Sequence, residues 1–177
     1  MKKLSLLISL LLFSTLYSQT KWMTLDEAMI AQKSQPKKII IAFYADWCGL
    51  CKNMEKKTYN HPEISKIINE NFYAVKFNAE DAAELTIFGQ TFVNSNIVNG
   101  KEKNSLHDFT KYMNVNTVPA TVFLDEKHNP ITILQGALTA KELEPYLILM
   151  SNDEYKKINT REKWETFHKK FKSSIKN

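Results

Sequence analysis

The chain holds only two cysteines in 177 residues, together with four glycines and five prolines. Two cysteines are too few for a small domain stapled by disulfides. Scarce glycine and proline, beside 44% hydrophobic and 24% charged residues, exclude a collagen-like or disordered chain. A zinc site needs four ligands, but there is no second cysteine pair. His61, His107, His128 and His168 lie scattered without ligand spacing. Neither an internal repeat nor a linker is visible, and the length suits one domain. Lysine and arginine number 24 against 19 acidic residues, a net charge of +5. So modest an excess does not single out nucleic acid, and no nucleic-acid partner is expected.

The first segment reads as an address. Lys2 and Lys3 precede an apolar run over residues 4–16, and Ser18 is a small residue suited to precede a cut. This is the layout of a secretory signal peptide over residues 1–18, with Gln19 as the new N-terminus. The run is shorter than the ~20 residues that span a bilayer, and retention as an anchor stays as the alternative. With no cysteine near the cut, a lipid-anchored form is disfavoured. Removal takes two lysines, so the mature charge is 22 − 19 = +3. The protein is therefore expected to be exported, to the periplasm or another extracytoplasmic space.

In the remainder, Thr24 and Glu27 form a capping box that opens a helix to about Ser34. Residues 39–44 are a continuous apolar, β-rich run, the pattern of a strand buried on both faces. A helix is expected from near Cys48 to Lys57. Another follows Asn60 and Pro62, with Ile64, Ile67 and Ile68 inward, and then a strand over 72–77. Residues 85–88 and 91–93 flank Gly89-Gln90 as a hairpin. Residues 94–104 read as an exposed polar loop and 105–113 as a short helix. Strands at 121–124 and 131–134 come next. Thr139 and Glu142 cap a helix towards Met150, with Pro145 inside it predicting a kink or an early stop. Trp164, Phe167, Phe171 and Ile175 fall on one helical face, expected to pack on the domain.

The chemistry lies in Trp47-Cys48-Gly49-Leu50-Cys51, where a buried strand meets a helix. A cysteine at a helix start faces free backbone N–H groups and the positive end of the dipole. Both favour thiolate, which makes Cys48 the nucleophile. Cys51, about one turn on and further inside, can attack a mixed disulfide on Cys48 and release the reduced substrate. A purely structural disulfide across so short a loop would restrict the unfolded chain little. A redox-dead pair in a binding module stays open as a reading of these residues.

The run Phe43-Tyr44-Ala45-Asp46-Trp47-Cys48-Gly49-Leu50-Cys51-Lys52 resembles the active-site segment of the thioredoxin superfamily. Within it, the chain resembles exported thioredoxin-like proteins and the soluble C-terminal domain of the membrane thiol:disulfide interchange reductase. Thr117-Val118-Pro119-Ala120-Thr121-Val122-Phe123 is similar to the family's cis-proline loop. The similarity covers about residues 22–150. It is interrupted at 80–116, which reads as an insertion before that loop, and residues 151–177 read as a C-terminal helical extension.

The resemblance implies an α/β thioredoxin fold, a central mixed sheet flanked by helices. It makes Cys48 the attacking and Cys51 the resolving cysteine, with Trp47 shielding the pair and the Gly49-Leu50 dipeptide tuning its potential. Pro119 would pack beside the disulfide, and the Val118 backbone would meet an extended substrate strand. Two departures stand out. Ala42 occupies the place of a buried Asp that assists the resolving cysteine in many thioredoxins, while Lys76 matches a lysine often near that Asp. Leu50 stands where proline is usual. The implied activity is thiol–disulfide exchange, reducing disulfides of exported proteins. No metal or organic cofactor is implied, the electron donor would be a membrane-bound partner, and a monomer is expected. The competing reading is a non-catalytic module that binds extended peptides in the cis-proline groove.

Overall fold

Ile39, Ile40 and Ile41 are completely buried, which requires a layer on each side of their strand. The computed structural model describes residues 19–100 and 105–176; the expected signal peptide lies outside the described residues. A five-stranded mixed sheet runs through the centre, in the order β1-β3-β2-β6-β7. The strands are β1 (Trp22–Met23), β2 (Lys38–Tyr44), β3 (Phe72–Asn78), β6 (Ala120–Leu124) and β7 (Pro130–Gln135). Strand β2 pairs parallel with β3 and antiparallel with β6. The register sets Ala42 opposite Lys76 and Tyr44 opposite Asn78. The two strands therefore end together, at the level where the cysteines begin.

Helices α1 (Leu25–Ser34), α3 (Pro62–Asn71) and α6 (Ala140–Ser151) are long enough to cover the sheet. Both expected capping boxes are formed, at Thr24 with Glu27 and at Thr139 with Glu142. On one face, α1 and residues from 80–116 enclose a core of Ile39, Ile41, Phe43, Val75, Val122 and Phe109. On the other, the helix after the cysteines, α3 and α6 enclose Ile40, Ile64, Ile68, Phe123, Leu143 and Leu147. Each such side chain contributes about 1.5–3 kcal/mol by leaving water.

The described parts of this stretch, residues 80–100 and 105–116, hold more regular structure than their composition implies. A hairpin joins β4 (Leu85–Ile87) to β5 (Gln90–Phe92). Its turn is Phe88-Gly89, one residue earlier than the sequence reading, because those two residues hold positive φ of 55° and 72°, as a two-residue hairpin turn requires. Where an exposed loop is expected, a short helix α4 (Ser95–Val98) forms and Asn94 is fully buried. Asn94 Nδ2 donates to the carbonyls of Asp81 and Ser105, at 3.1 and 2.6 Å. Helix α5 (Asp108–Tyr112) follows. Phe109 stacks on Phe43 at 6.0 Å, and Phe92 meets it at 5.5 Å. This segment is thus the cover of one sheet face.

Two further expectations are corrected at the C-terminal end. Pro145 does not stop α6, which runs on to Ser151. The bond it removes would reach the carbonyl of Lys141, an exposed residue that water can serve. Helix α7 (Arg161–Lys170) ends before Phe171, so Ile175 lies beyond the helix and reaches the core by an extended tail. Trp164 stacks on Tyr146 at 4.8 Å. Buried Lys38 ties the start of β2 to Glu126 at 2.8 Å and to Asp153 at 2.7 Å, bracing the end of the sheet opposite the cysteines.

Candidate active site

Strand β2 delivers the chain to a tight bend in which Cys48 N–H donates to the Ala45 carbonyl at 3.0 Å. Cys48 is the N-cap of α2 (Gly49–Met54), and its sulfur accepts from Cys51 N–H at 3.1 Å. The sulfur therefore occupies the place of a capping oxygen, among free backbone donors. Helix α2 continues without a break into a π-helical turn (Glu55–Tyr59), closed by Asn60 N–H on the Glu55 carbonyl at 3.0 Å.

Cys48 and Cys51 form a disulfide with an S–S distance of 2.04 Å and Cα atoms 5.3 Å apart. Both are buried, at 4% and 7% exposure, and Ala45, Tyr44 and Val118 pack against them. The Val118–Pro119 peptide bond is cis. Pro119 is buried, and its carbonyl accepts from Gly136 N–H at 2.9 Å, which anchors the loop to the end of β7.

Trp47 and Leu50 stand at the rim, 67% and 62% exposed, and Gly49 is exposed between them. The Trp47 indole N–H donates to Glu80 at 2.9 Å, and Asp46 accepts from Asn78 Nδ2 at 3.3 Å. The rim is thus tied to the first residues of the 80–116 segment. Sequence reasoning missed Glu80, because only the shared end of β2 and β3 brings it to Trp47.

A cavity of about 280 Å³ lies behind Cys51, with Ala42, Tyr59 and Pro119 in its wall. Lys76 reaches into it from β3 and holds both carboxylate oxygens of Glu55 at 2.9 Å. The Lys76 ammonium also lies over the Tyr44 ring, 4.9 Å from its centre. Burial pushes the Tyr59 phenol well above its ordinary value, against the hydrogen bond it shares with Thr121 at 2.7 Å. Sequence reasoning singled out Lys76 but not Glu55, although a residue four after Cys51 on a helix shares its face. Among the described residues, no group of three or more His, Cys, Asp or Glu is placed to hold a metal ion.

A mixed sheet that presents a disulfide at a strand-to-helix junction, beside a cis-proline loop, defines a domain of the thioredoxin type. The chain belongs to the thioredoxin-like domain family, whose model matches residues 25–151. The thiol:disulfide interchange protein DsbD of Escherichia coli K12 is 23% identical over 126 residues, 70% of this chain and 18% of that protein. The chain therefore spans less than a fifth of the length of the curated relatives it matches. Among solved structures, a thioredoxin-fold protein of Helicobacter pylori aligns with a TM-score of 0.60 and 18% identity, over 86% of this chain and 88% of its own. A thioredoxin of Thermus thermophilus aligns with a TM-score of 0.53 and 18% identity, over 74% and 85%. Both are likenesses of fold. Family and cysteine pair together are those of a thiol–disulfide oxidoreductase.

Proposed function

We propose that this chain is a reductase of disulfides in exported proteins, working through the Cys48–Cys51 pair. The observation that carries the proposal is the disulfide itself, capping a helix within contact of Val118. In the reduced state, the Cys48 thiolate attacks a client disulfide, and one client sulfur leaves as a thiolate. Cys51 then attacks Cys48, the second client sulfur leaves, and the pair is left oxidised. Val118 and Pro119 form the wall along which an extended client segment would lie. Trp47, Gly49 and Leu50 form the rim it meets first.

The reducing direction rests on the dipeptide Gly49-Leu50, which provides no side-chain donor to a Cys48 thiolate. A less stabilised thiolate makes the dithiol the better electron donor. The signal-like residues 1–18 support an extracytoplasmic location, where a membrane-bound donor would have to return the pair to the dithiol. Among the described residues, no helix is long and apolar enough to cross a membrane. We take the working unit to be a monomer.

The test is trapping. Cys48→Ser should abolish exchange with a disulfide-bonded client, and Cys51→Ser should accumulate a covalent client adduct on Cys48. Equal trapping by the two variants, or full activity of Cys48→Ser, sinks the assignment. Failure of the reduced wild-type chain to react with iodoacetamide near neutral pH would favour the non-catalytic peptide-binding module instead.

A further inference from the structure

The net charge is unevenly placed along the chain. Residues 161–177 hold six lysines and arginines against two glutamates, 6 − 2 = +4, whereas residues 19–160 hold 16 against 17, 16 − 17 = −1. The positive excess after residue 18 therefore belongs to the C-terminal extension, which lies beyond the matched family domain. We propose that helix α7 and the tail after it form a docking surface for an anionic phospholipid bilayer.

The geometry of α7 supports this. A helix turns by about 100° per residue, which sets Trp164, Phe167 and Phe171 on one side. Lys163 and Lys170 run along one border of that side, and Arg161 and His168 along the other. Glu162 and Glu165 lie away from it. No residue of α7 is fully buried, and the three aromatic rings are half-buried. The helix is held to the domain through Trp164, which stacks on Tyr146 at 4.8 Å, and through the tail, where Ser173 and Ser174 bond to Glu144. Beside the Lys163 border lies an open groove of about 650 Å³, with Lys157, Phe167 and one carboxylate, Glu162, also in its lining.

The cations of this surface are uncommitted. Lys157, Lys163, Lys169, Lys170, Lys172 and Lys176 are exposed and form no ion pair among the described residues. Lys163 Nζ donates to the neutral Asn159 side chain at 2.8 Å. Around them, Arg161 is paired with Glu165 and Lys156 with Asp153. Each free lysine beside an anionic lipid surface contributes about a fivefold gain in binding. An acidic protein partner would need the cations alone. Aromatic rings bordered by lysines, whose apolar stems can lie beside the rings while the ammonium reaches outward, suit the boundary between headgroups and acyl chains.

No residue of the extension lines the cavity beside Cys51, so docking and exchange use separate surfaces. A docked chain would stay at the membrane that, in the proposed function, supplies its electrons. That consequence alone rests on the proposed function.

The test is co-sedimentation of residues 19–177, so that the apolar leader cannot bind lipid itself. The chain should pellet with vesicles of mixed phosphatidylcholine and phosphatidylglycerol, and not with phosphatidylcholine alone. Salt at about 1 M should release it, because the screening length then falls to about 3 Å. Lys163→Gln, Lys170→Gln, Lys172→Gln and Lys176→Gln combined should weaken binding by about a hundredfold or more. The control combines Lys21→Gln, Lys33→Gln, Lys127→Gln and Lys141→Gln, four exposed lysines outside the extension. It removes the same charge and should bind within about threefold of the unmodified chain. Should the first variant fail to fold by circular dichroism, the salt and lipid series on the unmodified chain decides alone. No binding to the mixed vesicles, equal binding to phosphatidylcholine, binding indifferent to salt, or equal loss in the two variants would each overturn the proposal. Stripping of the bound chain by soluble poly-L-glutamate would overturn it in favour of an acidic protein partner. Lipid binding is read without cysteine chemistry, so it can fail while exchange stands, and it should persist in a Cys48→Ser chain that has lost exchange.

Discussion

Asn94 and Glu144 are polar side chains in apolar surroundings, and each is fully bonded. Asn94 donates to two carbonyls and accepts from Ser105 Oγ at 2.5 Å. Asn94→Ala would leave the Asp81 and Ser105 carbonyls without these donors, at about 1–3 kcal/mol for each group left buried and unpaired. Urea unfolding should show a loss of that order. Glu144, 2% exposed, accepts from Ser173 Oγ and from both the N–H and Oγ of Ser174. Burial pushes its carboxyl up, but the serine hydrogen bonds outweigh this and hold it below the ordinary value of 4.5. A lowered folded value means that the stabilisation is complete above about pH 4.5 and is lost as pH falls through the folded value. Protection of the Ser174 amide, measured against its intrinsic exchange rate at each pH, should therefore fall on acidification below that range. That protection should already be low at neutral pH in Glu144→Gln, which keeps one acceptor oxygen but no charge.

Among the elements, those specified by near neighbours were legible in advance. The two capping boxes need residues three apart, and the buried run of β2 announces itself by unbroken apolar character. The cysteine pair was legible for the same reason. What escaped depends on partners distant in sequence. Strand β1 has two residues and exists because Ala74 and Val75 receive it. Asn94 looks like a loop residue until Asp81 and Ser105 close around it. Glu55 gains meaning only when β3 brings Lys76 to it. The hairpin β4–β5 shows how a local rule is bent by packing. Phe88 takes a positive φ in a turn that favours glycine or asparagine, and its ring stacks on His128 at 5.5 Å. Gly89 carries the rest of the turn at φ 72°. Gly89→Val forces a branched side chain into that region and should cost about 1–2 kcal/mol. Cys48 alkylation kinetics should be unchanged, because the turn lies by His128, beyond the opposite ends of the strands.

For the molecule as a whole, the redox potential is the integrating measurement. Strong oxidants of this fold lie near about −120 mV and thioredoxin near about −270 mV. A glutathione titration of the Cys48–Cys51 pair should fall nearer the second value, and a result close to the first would reverse the direction of the proposed reaction. The backbone of Ala79 adds a reciprocal expectation. Its N–H donates to the Tyr44 carbonyl at 2.7 Å, just before the cysteine bend. Its carbonyl accepts from His107 N–H at 2.8 Å and from Thr110 Oγ1 at 3.0 Å. One residue thus fastens the redox loop to the cover of the sheet. Opening of residues 80–116 and reduction of the disulfide then become linked equilibria. Whatever free energy the oxidised loop lends to closure, closure must return to the oxidised state. A client that levered the cover aside would thereby shift the potential of the pair it is about to meet, and protection of the Ala79 amide would differ between the two oxidation states.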